Sequence, residues 1–473
     1  MCVPRRGPVK TVNASTPDII WNDGNGSLRS NYSALESRLA ADPNATSTNS
    51  HNSLELGSTS ASPAGFLTVA GLFYGYEYAH VELHDPQQYH HAAAMHLTLN
   101  CKGRYWRVDR LGKKLTPNRR HHSATIRTDT RLIVGGIFTR GPGLSIIEAT
   151  GVQPQGRISP WDVGLWSDDH IAGLAEITQF AHSQNQKMGI QLAHAGRKAS
   201  TLPPWATSVL ADKDNEGWPD DVWAPSAIPF HSTYPQPKEL TTEGIKKIVE
   251  DWASASKRAI KAGFDVIEVH SAHGYLLHEF LSPVSNKRTD SYGGSFENRI
   301  RLLVEVVDAV RAAIPESTPL FVRVSATDWL EEVAPNEPSW TSEETVKLGQ
   351  VLAGHGVDLF DISSGGNDPR QKISGGPGYQ VRFAAAVKSA VGSNLLVSAV
   401  GGLADGTLAQ KVLDDGHADV VFVGRMFQKN PGQVWAMADQ IGVEIGAAKQ
   451  IGWGFKGRAA KALGGAPKTT GKL

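Results

Sequence analysis

From residue 140 onward, short apolar runs alternate with amphipathic stretches along the chain. The short runs are rich in β-branched residues, whereas stretches such as 241–263 and 295–314 repeat apolar residues at i, i+3, i+4 and i+7. Runs of the first kind favour strands and stretches of the second kind favour helices, so their alternation is typical of parallel βα units. The pattern predicts seven strands, which lie at 145–152, 187–196, 264–274, 320–328, 357–366, 394–403 and 419–427.

Seven such units predict an α/β fold of the TIM (β/α)8 barrel type, with one of the eight strands unaccounted for. The alternative is a doubly wound open sheet. A dinucleotide-binding sheet of that kind normally carries G-x-G-x-x-G after a strand, and the chain has no such motif and no phosphate-binding P-loop. The barrel is therefore the preferred prediction.

The part of the chain before the barrel has a different composition. Residues 1–64 are dominated by Ser, Asn, Thr, Ala, Gly and Pro, and they contain too few bulky apolar residues to offset the entropy lost on ordering. We predict a low-complexity, largely disordered segment over 1–128, a barrel domain over 129–460 and a flexible tail over 461–473.

The charges of the whole chain cancel, with 47 Lys and Arg against 47 Asp and Glu. The stretch 102–140 nevertheless contains eleven basic residues and only two acidic ones, and Tyr105 and Trp106 lie among them. Cations interleaved with aromatic rings are a feature of single-strand nucleic-acid binding. No recognisable nucleic-acid module accompanies the stretch, so we expect no nucleic-acid partner.

Cysteine content and hydropathy bear on the compartment. The chain has only two cysteines, Cys2 and Cys101, which form neither a disulfide framework nor a clustered zinc site. No apolar run of signal-peptide length follows the basic start, and no run reaches the roughly 18 apolar residues of a membrane span. These features predict a cytoplasmic protein without a membrane partner.

Polar side chains gather at the predicted carboxyl ends of the strands, where barrels of this type build their active sites. These residues also have structural interpretations; Arg323, for example, could pair with a nearby acid such as Asp328. Their convergence on one end of the barrel favours a functional site. The residues are Gln191, His194, Arg197, Lys198, His270, His273, Tyr275, Arg323, Gly424 and Arg425.

Two chemistries could use this set. In the first, a zinc-dependent hydrolysis, His194, His270 and His273 would bind the metal, but the set lacks a convincing carboxylate ligand. In the second, flavin chemistry, His270 and His273 donate hydrogen bonds to a carbonyl oxygen while Tyr275 delivers a proton. The second chemistry is preferred, and no metal ligand is assigned.

A phosphate group also has a place in the flavin interpretation. Barrels often bind phosphate with backbone N–H groups after strands seven and eight, and Gly424 and Arg425 follow the last predicted strand. Gly401 and Gly402 follow the preceding strand, and glycine permits close approach of the backbone.

Several of these residues lie in longer motifs that resemble the Old Yellow Enzyme family of FMN-dependent ene-reductases. The resemblance covers about 132–455 and is strongest in QLAHAGRKAS (191–200) and HSAHGYLLHEFLSPVSNKRTDSYGGSFENR (270–299). IEATGVQPQGRISPWDVGLW (147–166), FVRVSATD (321–328) and FVGRMF (422–427) are also similar to that family. The resemblance implies an eight-stranded barrel that binds FMN and uses NADPH or NADH as reductant.

The resemblance also implies roles for individual residues. Ala149 and Gln191 would contact the flavin ring, and Arg323 would lie near its N1 and C2 carbonyl. His270 and His273 would bind the substrate oxygen. Four further residues would hold the FMN phosphate, and they are Gly401, Gly402, Gly424 and Arg425.

In the reaction implied by the family, NADPH or NADH reduces FMN, and the flavin N5 then passes a hydride to the β-carbon of an α,β-unsaturated carbonyl compound. Tyr275 would protonate the α-carbon. The partner is thus a small enone-type molecule, and donors aimed at its carbonyl would stabilise the developing enolate. The residues predict no particular oligomeric state.

The atypical or missing strand is the first one. Family members begin the barrel with L-x-N-R-I followed by P-M-C or P-M-T, and the chain contains neither motif. GFLTVAGLF (65–73) is a candidate for a substitute strand. The alternative is a non-catalytic barrel that has lost flavin binding. The Pro-rich segment 201–239, with Trp205, Trp218 and Trp223, is a candidate cap over the flavin site or a packed surface loop.

Overall fold

The structure is a computed structural model that describes residues 140–445 except 205 and 207. The segment predicted to be disordered (1–128), the candidate substitute strand within it and the predicted tail (461–473) lie outside the described residues, as does nearly all of the basic stretch 102–140. Within the described part, no helix has both the length and the apolar character needed to cross a bilayer.

Within the described residues, seven parallel strands form one sheet, and each lies within or beside one of the seven predicted runs. The strands follow one another across the sheet in the order in which they occur along the chain. They are β1 (Leu144–Gly151), β2 (Lys187–Ala193), β5 (Val266–Ser271), β6 (Leu320–Ser325), β7 (Leu359–Ser363), β8 (Leu396–Val400) and β9 (Val420–Phe422). Two further short strands, β3 (Trp223–Ala224) and β4 (Lys238–Glu239), pair in parallel outside this sheet.

The sequential order of the strands rules out the doubly wound alternative, in which the order would reverse at a switch point. The sheet curls in the manner of a TIM barrel, and the prediction of a TIM-barrel-like α/β fold is confirmed. Among the described residues, β1 pairs only with β2 and β9 pairs only with β8. An eighth strand would lie between these two edges, where the first strand of the barrel is expected.

Helices pack outside the sheet, as the i, i+3, i+4 pattern predicts. The two longest are α2 and α4, whose starts are capped by the side chains of Thr241 and Ser295, each accepting a hydrogen bond from a backbone N–H of the first turn. The helices are α1 (Ile171–Ser183), α2 (Thr242–Lys261), α3 (Leu276–Leu281), α4 (Phe296–Ala313), α5 (Ser342–Leu352), α6 (Val381–Val391), α7 (Gly406–Asp414), α8 (Arg425–Lys429) and α9 (Gln433–Ile441).

The interior of the curled sheet is layered along the strands. Buried apolar side chains, most of them near the amino ends of the strands, form one cluster there, and they are Leu144, Val266, Phe321, Leu359, Leu396, Val420 and Phe422. Side chains two positions further along a strand face the same side. On β7, the side chains that face the interior are therefore Leu359, Asp361 and Ser363, in order from the amino end to the carboxyl end. The interior thus changes from apolar to polar toward the carboxyl ends of the strands, which leaves that end open for chemistry.

Candidate active site

Three predicted catalytic side chains meet at the end of β5 and in the turn after it. The ring of His270 lies 5.2 Å from that of His273 and 5.2 Å from that of Tyr275, measured between centroids, and both contacts are edge-on. The prediction that these side chains share one site therefore agrees with the geometry of the turn.

The backbone of this turn is unusual at two consecutive positions. His273 and Gly274 have φ angles of +59° and +71°, in the left-handed region. A Cβ atom at Gly274 would lie 2.1 Å from the carbonyl oxygen of Gly366, so only glycine fits against the loop after β7. The N–H of His273 donates to Oγ of Ser325 at 2.9 Å, which holds the strained residue in place.

The two histidines are buried rings that favour the neutral form. Burial first, and then the charge of Arg323, lower the pKa of each ring well below its ordinary value. Nδ1 of His270 accepts a hydrogen bond from the N–H of Ala272 at 3.2 Å, so the neutral ring carries its proton on Nε2. Nε2 of His273 lies 2.7 Å from Oγ of Ser363, a partner that either donates or accepts.

The phenol of Tyr275 keeps its proton at neutral pH. Burial is the largest cause that raises the pKa of its phenol above 10, and Asp162 and Tyr234 add to the effect. The hydroxyl is therefore protonated over the physiological range and is suited to donating a proton within the site.

A layer of polar side chains, with one ion pair, lies deeper in the barrel. The amide of Gln191 donates to Oε2 of Glu268 at 2.5 Å, and Arg323 faces Asp361 with 3.1 Å between Nε and Oδ2. Ser398 donates to the other oxygen of Asp361 at 2.6 Å. The alternative in which Arg323 pairs with Asp328 is wrong, because the register of β6 and β7 places Asp361 directly beside Arg323.

Asp328 instead supports the turn that contains His273 and Gly274. Its Oδ1 lies 3.1 Å from Nε2 of His278, and both side chains are fully buried. Nδ1 of His278 accepts a hydrogen bond from the N–H of Gly274 at 2.9 Å. The buried His–Asp pair thus anchors the second left-handed residue of the turn.

The polar layer leaves one buried oxygen without a partner. Oε1 of Glu268 has no hydrogen-bond partner among the described residues. The pKa of Glu268 is raised to about 7, mainly by burial and then by the charge of Asp361, while Arg323 opposes both. The side chain of Arg323 is 24% exposed toward the open end. A bound group that carries both donors and acceptors would complete this layer.

The proposed cofactor residues lie at this same open end, and they fit FMN. Gly401 and Gly402 have φ angles of +103° and +68°, and a Cβ atom at Gly402 would lie 2.5 Å from the oxygen of Gly376. Gly424 and Arg425 follow β9 and are exposed. Pairing of β1 with β2 is interrupted between Ile147 and Thr150, which frees the backbone around half-buried Ala149 from the ladder.

His194 does not join this site. Its Nδ1 accepts from the N–H of Gly196 at 3.1 Å, and its Nε2 lies 3.1 Å from Oε1 of Gln153. The expectation that it faces the cavity with the other histidines is wrong, because both ring nitrogens bind neighbouring loop groups. In the described ranges, no group of three His, Cys, Asp or Glu is placed to hold a metal ion. The zinc interpretation therefore lacks its third ligand.

The predicted cap segment, 201–239, packs beside the site. Phe230 lies 4.5 Å from Nζ of Lys198, measured to the ring centroid, and the backbone oxygen of Ile228 accepts from Arg197 at 3.4 Å. Nε1 of Trp218 donates to the oxygen of Gln155 at 2.9 Å, which ties the segment to the loop after β1. The segment therefore borders the pocket as well as packing on the surface.

Sequence reasoning missed the residues that hold the catalytic side chains. Four of them lie on strands, and they are Ser325, Ser363, Glu268 and Asp361. Each is two positions along its strand from an assigned residue or from another of the four, and so faces the same side of the sheet. The period-2 alternation of strands could therefore have identified them. Lys198 is among the polar residues found at the strand ends, but its partners were not predicted, because they lie in loops far along the chain.

Comparison with known proteins identifies the family. Residues 139–442 match the profile of the NADH:flavin oxidoreductase / NADH oxidase family. An NADH:flavin oxidoreductase of Gibberella zeae is 58% identical over 333 residues, which are 69% of this chain and 80% of that protein. NADPH dehydrogenase of Bacillus subtilis is 43% identical over 313 residues, which are 66% of this chain and 84% of that protein.

Solved structures agree with these relatives. Morphinone reductase in complex with tetrahydroNAD superposes with a TM-score of 0.53 and 28% identity, covering 67% of this chain and 82% of that one. The family profile covers more than half of the chain and includes the strands and turns that form the site. The chain therefore belongs to the NADH:flavin oxidoreductase / NADH oxidase family, that of Old Yellow Enzyme, and is an oxidoreductase that uses FMN and NAD(P)H.

Proposed function

We propose that this oxidoreductase reduces the activated C=C bond of α,β-unsaturated carbonyl compounds. The observation that carries the proposal is the meeting of two neutral histidines and a protonated phenol at the open end of the barrel. Such a group matches a substrate that develops negative charge on an oxygen and needs one proton.

The histidines would bind the carbonyl oxygen of the substrate. Nε2–H of His270 is a donor because its Nδ1 is occupied by the N–H of Ala272. His273 would present the second donor, with its ring held by Ser363. Both rings are neutral, so they enter the reaction as hydrogen-bond donors that strengthen as the oxygen gains charge.

Tyr275 would supply the proton to the α-carbon. Its edge-on contact with His270 places the phenol beside the oxygen-binding pair. Because burial raises its pKa, the phenol stays protonated until a carbanion-like carbon forms nearby. An arrangement with hydrogen-bond donors at the oxygen and a proton donor at the α-carbon suits the addition of hydrogen across the C=C bond of an enone.

The cofactor would lie across the open end. FMN, when bound, supplies the hydride and is recharged by NAD(P)H. Ala149, Gln191 and Arg323 would hold its ring, where Gln191 is oriented by Glu268 and Arg323 by Asp361. Its phosphate would be held by Gly401, Gly402, Gly424 and Arg425.

The relatives support a nicotinamide as the reductant. Several are named NADPH dehydrogenase, and the morphinone reductase structure contains tetrahydroNAD. The small enone-type molecule is the partner proposed for the histidine pair, and the choice between NADPH and NADH is open to direct kinetic comparison.

An anaerobic two-step experiment tests the proposal. The purified protein should show flavin absorbance, which NADPH should bleach, and 2-cyclohexenone should then restore it with formation of cyclohexanone. A protein that is bleached by NADPH but not restored by any enone would contradict the reduction of C=C bonds. A protein that holds no FMN, even after its addition, would favour the alternative of a non-catalytic barrel.

A further inference from the structure

Lys198 links the two loops that frame the histidine pair. It lies in the short 3-10 turn Gly196–Lys198 that follows β2. Its Nζ donates to the carbonyl oxygen of His273 at 2.8 Å and to that of Gly366 at 2.8 Å. One ammonium group therefore joins the turn after β5 to the loop after β7, at the point where His273 is strained.

The environment of this half-buried ammonium group is aromatic. Its Nζ lies 4.5 Å from the centroid of Phe230 and 5.1 Å from that of Tyr275. Burial lowers the pKa of Lys198 to about 8, an effect that Glu279 opposes and Arg197 reinforces. Removing an ammonium group from water costs free energy, so favourable contacts must offset this cost at Lys198.

The charge of Lys198 acts on the same groups that would bind the substrate oxygen. It contributes, after burial and Arg323, to the lowered pKa of both His270 and His273. A field that disfavours protonation of the rings also favours a negative charge on an oxygen held between them. Lys198 therefore couples the shape of the turn to the electrostatics of the pocket.

We propose that Lys198 is a positioning residue of this site, which holds His273 through its carbonyl group and stabilises the anionic form of an oxygen bound by the two histidines. This inference rests on the proposed function, because it assumes that the histidines bind an oxygen. The charged and titratable groups around Lys198 are Arg197, Glu279, His270, His273 and Tyr275.

The probe for this role is 4-nitrophenol, an electron-poor phenol whose neutral and ionised forms absorb at different wavelengths. Binding to the FMN-loaded wild type should favour the ionised form. In Lys198→Met we expect the phenolate to bind about tenfold more weakly and the bound phenol to ionise at higher pH. Lys198→Arg keeps the charge and should stay within about threefold of the wild type.

The matched control is Lys372→Met. Lys372 lies in the loop after β7, and its ammonium forms an exposed ion pair with Glu332, with 70% of the Lys372 side chain accessible. Removing this charge should leave both the affinity for 4-nitrophenol and its ionisation unchanged, because solvent screens it. FMN content, read from visible absorbance, should be the same in all four proteins.

Distinct results separate the two proposals. A wild type that holds FMN but binds no 4-nitrophenol would contradict the oxygen site itself, and with it the role of Lys198. A normal wild type together with an unchanged Lys198→Met variant would overturn the role of Lys198 alone. The role of Lys198 would also be overturned by a Lys198→Met variant that loses its FMN, or by a Lys198→Arg variant that binds 4-nitrophenol no better than Lys198→Met does.

Discussion

Nε2 of His273 lies 2.7 Å from Oγ of Ser363, although the two residues are 90 positions apart in the chain. The serine ends β7, and its hydroxyl can also turn toward Oε1 of Gln380 at 3.5 Å. The hydroxyl therefore fixes the orientation of the ring. A substrate-binding side chain on one loop is thus controlled by the end of a different strand.

Replacing Ser363 tests this control. In Ser363→Ala the ring of His273 loses its partner, so we expect the KM for an enone to rise about tenfold while the reduction of FMN by NADPH changes little. Ser363→Thr retains the hydroxyl and should restore most of the affinity. Steady-state kinetics of the three proteins provide the comparison, and equal KM values would refute the role of Ser363.

The proton donor is tested by Tyr275→Phe. The variant keeps the ring beside His270 but lacks the hydroxyl, so re-oxidation of reduced flavin by an enone should slow by about 100-fold. Bleaching of the flavin by NADPH needs no proton from Tyr275 and should keep its rate. Stopped-flow measurement of each half-reaction separates the two steps, and an unchanged rate with the enone would remove the assignment.

Arg323 is the cation of the buried polar layer, and its removal should lower both the affinity for FMN and the free energy of unfolding. Arg323→Met leaves Asp361 without its ion-pair partner, so we expect the free energy of unfolding to fall by about 3 kcal/mol. The affinity for FMN should fall by at least tenfold. Fluorescence titration with FMN and denaturant unfolding measure these changes.

Lys372→Met is also the control for Arg323. Lys372 pairs with Glu332 at the surface, and the two side chains are 70% and 74% exposed, so its loss should change the unfolding free energy by less than about 1 kcal/mol. If the two variants bound FMN equally well, Arg323 would have no part in the cofactor site.

Glu279 predicts a pH dependence of stability. Burial raises its pKa from 4.5 to about 8, while Arg197 opposes the shift. Between these two values the folded state binds more protons than the unfolded state, so this group makes stability fall as pH rises from about 4.5 to 8.

The variant Glu279→Gln mimics the protonated side chain and retains an oxygen for the N–H of Arg197. Its free energy of unfolding should exceed that of the wild type by more at pH 8 than at pH 5, by about 3 kcal/mol across the interval. Urea titrations at the two pH values measure the difference. A constant offset between the two proteins would show that Glu279 is ionised throughout.

The strands and the two long helices could be predicted because their patterns are local. The apolar run around β7 and the i, i+3, i+4 spacing of α4 depend on which face of an element is buried, and neighbouring residues record that face. The grouping of His270, His273 and Tyr275 was predictable for the same reason, since they lie within six residues of one another.

Contacts between distant strands could not be read in this way. Asp328 is five residues from Arg323 in the chain, but the register of β6 and β7 pairs Arg323 with Asp361. His194 has the sequence context of a strand-end ligand, yet its ring nitrogens bind Gly196 and Gln153. Such partners depend on the stagger between strands, which no local pattern specifies.

The contact of Gly274 with Gly366 limits how this active site can diversify. A Cβ atom at either position would clash with the backbone of the other loop, at 2.1 Å from Gly366 O or 2.6 Å from the backbone of His273. The two loops therefore form a fixed frame in which neither can acquire a side chain without displacing the other. We expect changes in substrate range, during evolution or in directed mutagenesis, to accumulate in the segment 201–239, which borders the pocket but is free of this constraint.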